Sequence, residues 1–477
     1  MPGSLAGLGM HMAAPTETSV QPGEAAPALP VEQLGRLFEA DRVPRYTSYP
    51  TAPHFRPDIG SVAAAEWLAA LPPDQPASLY LHVPFCRQLC WYCGCTTHIT
   101  RHAGRINAYA QTLARELDLV ADHLREPVPL AHLHWGGGTP SSLGTADLAT
   151  LMRRIDERFG FTADAERAIE LDPRFVSTEL ADCIARIGIN RASFGIQSFD
   201  PAVQRAINRI QSVDTTRLAL ERLRSAGIDA ISFDILYGLP HQDVASVLDT
   251  VDSVAALAPG RVAVFGYAHL PGLKKHQSMI PDELLPDAAQ RLAQFAAITE
   301  RLEALGYVAI GLDHFARPDD PMARALEAGR LERNFQGYTT DRATTLIGVG
   351  ASAIGSFKDG YLQNHVDLQA WRSAIAEGRL PIARGLRLSA DDRHRRAIIN
   401  RLMCEGRADL GAIADAHGAA AIAPEPGRFA RLVELGIARR EDDVILVPAR
   451  YRPLLRLVAA CFDRYLAPGQ GRHSLAL

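Results

Sequence analysis

Short apolar runs alternate with amphipathic stretches from residue 78 onward, and this alternation limits the folds open to the chain. The runs have the length and composition of buried strands and lie at residues 79–85, 133–135, 168–171, 192–196, 230–236, 262–267 and 307–312. Between them, apolar residues repeat at helical spacing, as at Ile106, Tyr109, Leu113, Leu117 and Val120, and at Leu148, Leu151, Ile155 and Phe159. This order predicts βα units around a parallel sheet. Periodicity alone leaves open whether the sheet is an incomplete barrel or an open, doubly wound sheet.

Three cysteines follow the first apolar run at the spacing Cys86-x3-Cys90-x2-Cys93, and a fourth lies at Cys95. Thiolates on one short loop can hold three corners of an iron–sulfur cube and leave the fourth iron open. An open iron is a place for chemistry, whereas a fully ligated cluster mainly transfers electrons. Cys95 cannot cap the same cube without closing that position, so we expect it to be a non-ligand or a thiol on the substrate side.

Other uses of these cysteines fit the sequence less well. A structural zinc site usually draws its ligands from two knuckles that lie well apart, whereas all four candidates here lie within ten residues. In a ferredoxin, three residues separate the third cysteine from the fourth, and a proline follows the fourth. Here only one residue separates Cys93 from Cys95. Cys183 lies at helical spacing from nearby apolar residues, which favours a place in the core.

The balance of charge and the apolar pattern argue against several classes of partner. The chain has 54 acidic and 50 basic residues, which gives no electrostatic case for nucleic acid or an anionic membrane. No run of about 18 apolar residues is free of charge or proline, so we expect no membrane span. Residues 1–30 are rich in Ala, Pro and Gly and resemble neither a secretory signal nor a transit peptide. We therefore expect a disordered tail on a cytoplasmic protein.

Residues 85–95 resemble the cluster-binding loop of the radical S-adenosylmethionine (SAM) enzymes, and in detail that of the oxygen-independent coproporphyrinogen III oxidases of haem biosynthesis. Cys95, directly after Cys93 and Gly94, is part of the likeness. Further segments similar to that family follow in the same order, at residues 44–51, 134–140 (His-Trp-Gly-Gly-Gly-Thr-Pro), 170–174, 195–199, 208–209, 233–240, 267–271 and 334–340. The resemblance runs from about residue 31 to near the C-terminus.

The resemblance implies an α/β fold, an incomplete (β/α)6-type radical SAM barrel with a mainly helical, winged-helix-like C-terminal domain. The corresponding domains are a disordered tail at 1–30, a segment covering the barrel mouth at 31–77, the barrel at 78–385 and the helical domain at 386–477. In the last domain, we expect helices at 391–404, 409–417, 429–435 and 454–465, with a hairpin within 436–447. Winged modules often contact DNA, and Arg393, Arg395, Arg396 and Arg401 form a basic face. The neighbouring Asp391 and Asp392 favour a lid or packing role instead.

Several residues are candidates for holding SAM. Gly136, Gly137 and Gly138 allow the backbone to approach a ligand closely, and Glu170 could accept hydrogen bonds from a ribose or pair with a nearby arginine. The resemblance implies two SAM molecules beside the cluster held by Cys86, Cys90 and Cys93. The first SAM site would comprise Tyr80, Tyr92, Gly137, Glu170 and Ile354. The second would comprise Gly138, Thr139, Gln197, Arg209, Asp234 and Ala268. Arg209 can pair with a carboxylate in a fork, although a salt bridge between Arg209 and Asp234 is the alternative.

The activity that the resemblance implies is oxidative decarboxylation of two propionates of coproporphyrinogen III to vinyl groups, which gives protoporphyrinogen IX. A radical on a primary carbon attacks most C–H bonds, so the site must exclude water and stray hydrogen donors. Residues 44–51 and the pair Phe335 and Gln336 are candidates for closing it. Cys95, Glu170, Phe335 and Gln336 are the substrate-side candidates, and the catalytic residues are otherwise unknown. We expect a monomer that takes electrons from an unidentified reduced protein.

Two other functions in the same superfamily remain open from the sequence. One is a haem-trafficking relative that binds haem without decarboxylation, although that relative typically lacks the cysteine matching Cys95. The other is a radical enzyme that degrades haem anaerobically. Turnover of coproporphyrinogen III by the reduced protein distinguishes the three.

Overall fold

The computed structural model describes residues 43–466 together with residues 33–35 and 37. The tail that we expect at residues 1–30 lies outside the described residues.

Nineteen strands occur in the described part of the chain. They are β1 (Ala77–Val83), β2 (Phe85–Cys86), β3 (His98–Ile99), β4 (Leu130–Gly137), β5 (Phe161–Leu171), β6 (Arg191–Gln197), β7 (Ala230–Tyr237), β8 (Arg261–Gly266), β9 (Val308–Ile310), β10 (His314–Ala316), β11 (Glu332–Asn334), β12 (Gly337–Thr339), β13 (Leu346–Val349), β14 (Ile354–Phe357), β15 (Gly360–Asn364), β16 (Ile382–Arg387), β17 (Arg407–Asp409), β18 (Arg439–Glu441) and β19 (Val444–Leu446). Twelve of these strands form one sheet in the order β16-β15-β14-β13-β1-β4-β5-β6-β7-β8-β10-β9.

The order of the parallel strands decides between the two predicted architectures. β1 and β4 through β8 lie side by side in chain order, and each runs parallel to the next. A doubly wound sheet reverses its strand order near the middle, whereas here the order advances in one direction, as in a barrel. The two edge strands, β16 and β9, do not pair with each other. The sheet is therefore an incomplete barrel, as predicted.

Helices connect the parallel strands and cover the outside of the sheet. The described helices are α1 (Ser61–Ala69), α2 (Ala103–Asp122), α3 (Thr145–Arg158), α4 (Thr178–Arg186), α5 (Pro201–Ala206), α6 (Val213–Ser225), α7 (Val244–Ala256), α8 (Ala288–Ala304), α9 (Pro321–Glu327), α10 (Leu368–Ala376), α11 (Ala390–Glu405), α12 (Leu410–His417), α13 (Pro426–Glu434) and α14 (Leu455–Ala459). The apolar faces predicted for α2 and α3 are buried in the main core, with Leu113, Leu117 and Ile155 fully inaccessible. Burial of these stripes against the sheet is what stabilises the helices.

The strand predicted at 307–312 is only partly correct. β9 covers the middle of that run, but it pairs antiparallel with β10, which in turn pairs antiparallel with β8. The connection from β9 to β10 has three residues, which is too short for the crossover that a parallel neighbour needs. The extension of the sheet by β13 to β16 was not predicted. It adds one parallel strand beside β1 and then three antiparallel strands.

The C-terminal part has its own core, built from α11 to α14 and the three-stranded sheet β17-β19-β18. The predicted hairpin within 436–447 corresponds to β18 and β19. The helix predicted at 454–465 is shorter than expected. α14 ends at Ala459, and a 3₁₀ turn lies on each side of it. At the C-terminal end the chain tightens into the 3₁₀ turn Ala460–Phe462, where the backbone N–H of Asp463 donates to the Ala460 carbonyl at 3.2 Å.

The N-terminal segment joins this second core. Val43, Tyr46 and Tyr49 are buried in it. The Tyr46 hydroxyl donates to Asp463 Oδ2 at 3.0 Å, and the backbone carbonyl of Tyr49 accepts from the Tyr361 hydroxyl on β15 at 2.9 Å. The segment therefore connects the barrel sheet to the C-terminal helices.

The arginines of α11 contact other parts of the same chain. Arg395 Nη1 donates to the Phe462 carbonyl at 3.0 Å, and Arg401 pairs with Glu332 at 2.8 Å. These contacts favour the packing role predicted for this face over a role in DNA binding.

Candidate functional site

The four cysteines follow β1: Cys86 ends β2, and Cys90, Cys93 and Cys95 lie on the loop between β2 and β3. Parallel pairing of β2 with β3 closes the base of this loop, and the Cys86 carbonyl accepts from Thr100 N at 3.1 Å. Cys90 is buried, Cys86 and Cys93 are half-buried, and Cys95 is exposed. We refer to residues 86–98 as the cysteine loop.

One side of the cysteine loop is held by the segment after α5. Asn208 Nδ2 donates to the Leu89 carbonyl at 2.8 Å, and Gln88 Nε2 donates to Asn208 Oδ1 at 3.1 Å. The backbone N–H of Trp91 donates to the Ile207 carbonyl at 3.0 Å. Asn208 adopts a left-handed conformation with φ of 54°, which asparagine tolerates better than most residues.

The segment after β8 holds the other side of the loop. Lys274 Nζ donates to the Cys95 carbonyl at 3.1 Å, and His276 Nε2 donates to the Cys93 carbonyl at 2.7 Å. Gln277 Nε2 donates to the carbonyls of both Tyr92 and Ala268, at 2.9 and 3.2 Å. Backbone carbonyls of the loop are thus fixed by side chains, while its thiols take no part in these bonds.

The surroundings of the thiols fit an iron–sulfur cluster. Arg209 Nη1 lies 3.6 Å from Cys90 Sγ, and Thr139 Oγ1 lies 3.6 Å from Cys86 Sγ, so each sulfur has a polar neighbour suited to an anionic thiolate. Burial raises the pKa of the Cys86 thiol to about 11, whereas a hydrogen bond with the Cys95 thiol lowers the pKa of Cys93 to about 6. Within the described residues, no three His, Cys, Asp or Glu side chains converge as a single metal ion would require.

Two glycines at the end of β4 bring the backbone against the cysteine loop and β1. A Cβ on Gly138 would lie 3.0 Å from Cys86 Sγ and 2.8 Å from the Phe85 carbonyl. Gly137 has φ of 114°, and a Cβ there would lie 2.8 Å from the His82 ring. Any side chain at these positions would therefore displace the loop or the ring, which explains why glycine occupies both.

A polar layer lies inside the barrel beside the glycines. His134 Nε2 donates to Glu170 Oε1 at 3.0 Å, and the backbone N–H of Gly137 donates to Glu170 Oε2 at 3.1 Å. The Tyr80 ring stacks on His134 with centroids 5.8 Å apart. Glu170 thus pairs with a histidine and a backbone amide, and not with the arginine that the sequence allowed as an alternative.

Tyr80 is also linked to the cysteine loop. Its hydroxyl donates to His82 Nδ1 at 3.0 Å, and His82 Nε2 donates to the Thr96 carbonyl at 3.2 Å. Burial lowers the pKa of His82, so this ring is neutral and carries its proton on Nε2.

A second group of predicted residues lies across the barrel on β6 and β7. Arg209 Nη2 donates to the Gly195 carbonyl at 2.6 Å, and Asp234 lies beside Gly195 in the strand register. Arg209 forms its ion pair with Asp172, at 3.4 Å, and not with Asp234, which was the alternative. Burial raises the pKa of Asp234 to about 7. Gln197 ends β6 with φ of 71°.

The remaining predicted residues lie at the margins of this site. Tyr92 packs beside the apolar cluster of Val203, Ile207, Leu239, Tyr267 and Ile280. Ile354 lies on β14, next to Gly348, and Gly348 in turn pairs with Tyr80. Phe335 lies farther out, where its ring packs edge-to-face with the Tyr361 ring at a centroid distance of 5.4 Å. Gln336 is exposed at the turn between β11 and β12.

Sequence reasoning missed three residues that the structure places in the site. They are His82, His134 and Asp172, and each lies in a segment that was recognised only for its neighbours. The period of two along a strand could have found His82, because it places His82 on the same face of β1 as Tyr80.

Together, the barrel, the cysteine loop and the polar layer define a radical SAM enzyme. Residues 80–254 match the family model described as the Radical SAM superfamily. Membership of that superfamily implies a [4Fe–4S] cluster and SAM as cofactors.

The particular family follows from relatives that align along most of their length. The chain is 51% identical over 446 residues to an oxygen-independent coproporphyrinogen III oxidase of Bradyrhizobium diazoefficiens, covering 93% of this chain and 99% of the relative. It is 43% identical over 453 residues to the enzyme of the same name from Paracoccus denitrificans, covering 94% and 99%. The solved structure of coproporphyrinogen III oxidase (HemN) from Escherichia coli matches with a TM-score of 0.83 and 39% identity, over 88% of this chain and 98% of that one. The chain belongs to the family of oxygen-independent coproporphyrinogen III oxidases.

No helix in the described part of the chain combines the length and the hydropathy needed to span a bilayer.

Proposed function

We propose that this protein decarboxylates two propionates of coproporphyrinogen III to vinyl groups without oxygen, giving protoporphyrinogen IX in haem biosynthesis. The observation that carries the proposal is the three-cysteine loop at the carboxyl ends of the barrel strands, in a chain that aligns almost end to end with enzymes of that name.

We assign cluster binding to Cys86, Cys90 and Cys93. When bound, the cluster and SAM supply the 5′-deoxyadenosyl radical that removes a hydrogen atom from the propionate carbon next to the ring. The chain's own contribution is to hold the three thiols in place through the carbonyl contacts on both sides of the loop. Arg209 adds a fixed positive charge beside Cys90. Cys95 is exposed, which supports its assignment as a non-ligand on the substrate side.

We further propose two SAM positions, side by side at the barrel mouth. Tyr80, Tyr92, Gly137, Glu170 and Ile354 would form the first. Glu170 retains acceptor capacity beyond its bonds to His134 and Gly137. Gly138, Thr139, Gln197, Arg209, Asp234 and Ala268 would form the second. Arg209 is buried and cationic and therefore suits a carboxylate, and Asp234 suits ribose hydroxyls.

A cleft of about 950 Å³ is our candidate for the tetrapyrrole. Its lining includes Tyr46, Ser48 and Phe335, together with Arg393 and Arg396 of α11. Its volume lies within the range typical of small-molecule sites, about 300–1,000 Å³. The lid candidates, residues 44–51 and the pair Phe335 and Gln336, border this cleft or adjoin it. Separately, Arg45 Nη2 donates to the Gly266 carbonyl at the carboxyl end of β8, at 3.1 Å, which supports a role for residues 31–77 in covering the barrel mouth.

The same proposal includes the division into domains at 31–77, 78–385 and 386–477, a reduced electron-donor protein as partner, a monomeric state and a cytoplasmic location. The separate core of the C-terminal helices supports the boundary near residue 386.

Product analysis tests the proposed function. Anaerobically reconstituted, reduced protein is incubated with coproporphyrinogen III and SAM, and carbon dioxide, 5′-deoxyadenosine and the oxidised porphyrin are quantified. We expect two molecules of carbon dioxide per protoporphyrin formed. Haem binding without carbon dioxide release, or loss of added haem, would instead assign the chain to one of the other two functions.

A further inference from the structure

The turn between β13 and β14 lies beside the cysteine loop at the carboxyl end of the barrel. β13 runs parallel to β1, and the two strands pair as far as Leu81 with Val349. Residues 350–353 connect β13 to β14, which begins at Ile354. We refer to residues 350–353 as the β13–β14 turn. Because neighbouring parallel strands end at the same edge of a sheet, this turn adjoins the end of β1, from which the chain continues into the cysteine loop.

Tyr109 of α2 joins this turn to β1. Its hydroxyl donates to the His82 carbonyl at 2.7 Å and accepts from the backbone N–H of Ala351 at 3.1 Å. The ring is fully buried. It stacks on Trp371 at a centroid distance of 4.6 Å and packs edge-to-face with Phe85 at 5.1 Å. One hydroxyl group, held in place by its ring, therefore bridges the turn and the strand.

Glu116 holds the same turn from the same face of α2. It lies seven residues after Tyr109, which is about two helical turns. Its buried carboxylate accepts from Gly350 N and Trp371 Nε1 at 2.8 Å and from Asn364 Nδ2 at 2.6 Å. Asn364 Nδ2 also donates to the Gly350 carbonyl at 2.8 Å. Both backbone polar groups of Gly350 are thus bound.

Close packing at Gly350 prevents the turn from moving nearer to β1. Gly350 has φ of 100°, and a Cβ there would lie 2.5 Å from the His82 carbonyl oxygen and 2.9 Å from the Tyr109 hydroxyl. The turn therefore lies directly against His82, whose ring contacts both the Tyr80 hydroxyl and the Thr96 carbonyl.

This contact links two residues of the proposed first SAM position. Tyr80 lies on β1, two residues before His82, and Ile354 directly follows the β13–β14 turn. Gly348 lies between them, because it pairs with Tyr80 and a Cβ on it would lie 2.7 Å from the Ile354 carbonyl oxygen. A shift of the turn relative to β1 would therefore change the separation of Tyr80 and Ile354.

We propose that Tyr109 and Glu116 are positioning residues for the first SAM position. They fix the β13–β14 turn against β1 and so set the separation between Tyr80 and Ile354. Both side chains are buried, so they act through the backbone and not by contact with SAM. This inference rests on the proposed function, which includes that SAM position.

Equilibrium binding of SAM to the cluster-loaded protein tests the inference. We expect Tyr109→Phe to raise the dissociation constant of SAM about fivefold or more, because the turn loses its hydroxyl contact with β1. The brown absorption of the cluster and KM for coproporphyrinogen III should remain unchanged. Glu116→Gln should also raise the dissociation constant, because an amide nitrogen replaces one of the two oxygens that three donors share. This second variant decides the matter should Tyr109→Phe fail to fold.

Tyr307→Phe is the matched control. The Tyr307 hydroxyl is also buried and donates to a backbone carbonyl, that of Pro259, at 2.8 Å. Pro259 precedes β8 and therefore lies at the amino end of the barrel, away from the proposed SAM positions. This variant should lose stability in urea through the same kind of bond, yet it should bind SAM like the wild type.

The outcomes separate positioning from a general loss of stability. Unchanged SAM affinity in Tyr109→Phe and Glu116→Gln would overturn the inference and leave the proposed function intact. An equal loss of SAM affinity in Tyr307→Phe, or an equal rise in KM for coproporphyrinogen III in Tyr109→Phe, would overturn it as well. Absence of wild-type turnover would instead refute the proposed function, whereas SAM binding, measured without substrate, would still decide the inference.

Discussion

Replacing Gly138 with alanine tests whether the end of β4 sets the position of the cysteine loop. The new Cβ would lie 2.8 Å from the Phe85 carbonyl oxygen, 2.9 Å from the Pro84 carbonyl carbon and 3.0 Å from Cys86 Sγ. Ordinary contact begins at 3.4 Å, and two of these atoms belong to the backbone, so they cannot rotate away. The loop must therefore move by about 0.5 Å, within the range in which overpacking costs roughly 1–3 kcal/mol.

This displacement should affect cluster binding more than folding of the barrel. The backbone bonds from Gly138 N to the Val83 carbonyl and from Thr139 N to the Phe85 carbonyl, both 2.8 Å long, would lengthen as the loop moves. We expect Gly138→Ala to retain less iron and sulfide per chain after anaerobic reconstitution. We also expect kcat to fall at least tenfold, which corresponds to about 1.4 kcal/mol.

Gly94→Ala is the matched control for this prediction. Gly94 lies on the same loop, but a Cβ there has no atom within 4 Å. It should bind iron and turn over like the wild type. Normal iron content and turnover in Gly138→Ala, or equal damage in both variants, would refute the steric reasoning.

Three further predictions concern the proposed cluster ligands, one proposed SAM contact and a buried carboxylate. Serine at Cys86, Cys90 or Cys93 should abolish the brown absorption of the cluster, whereas serine at Cys95 should leave it intact, as an absorption spectrum would show. Glu170→Gln should raise KM for SAM about tenfold, through loss of a charge-assisted acceptor, while Glu179→Gln on the exposed surface of α4 should not. Glu116 is buried, and burial raises its pKa from 4.5 to about 7, so the folded state binds its proton more tightly than the unfolded state does. The free energy of unfolding of the wild type, measured in urea relative to that of Glu116→Gln, should therefore fall by about 2–3 kcal/mol as the pH rises from roughly 5 to 8. A difference between the two proteins that does not change with pH would contradict the assignment.

The sequence predicted those parts of the fold that depend on local patterns. Apolar periodicity located six of the seven parallel strands in the described sheet and the buried faces of α2 and α3, because each of these elements buries one continuous apolar surface. It did not predict β13 to β16. β13 pairs with β1, which is far away in the chain, and β14 to β16 follow it as consecutive antiparallel strands. The direction of β9 depends on the length of the connection to β10, which an apolar run does not encode.

The candidate site shows the same limit. The spacing of Cys86, Cys90 and Cys93 identified the cysteine loop because its ligands are close together in the chain. The partners of Glu170 and Arg209 were not predictable, since His134 lies on β4 and Asp172 directly follows β5, and they meet their partners only after the barrel forms. Likewise, the side chains of Asn208 and Gln277, which fix the carbonyls of the loop, come from segments that are distant in sequence.

Spectroscopy of the iron centre tests the central claim most directly. The claim is that three thiolates of the cysteine loop bind a [4Fe–4S] cluster and leave one iron available to SAM. Mössbauer spectra of anaerobically purified protein should show one iron that differs from the other three, and addition of SAM should change the signal of that iron alone. A spectrum that SAM does not alter, or stoichiometric zinc in place of iron, would contradict the account.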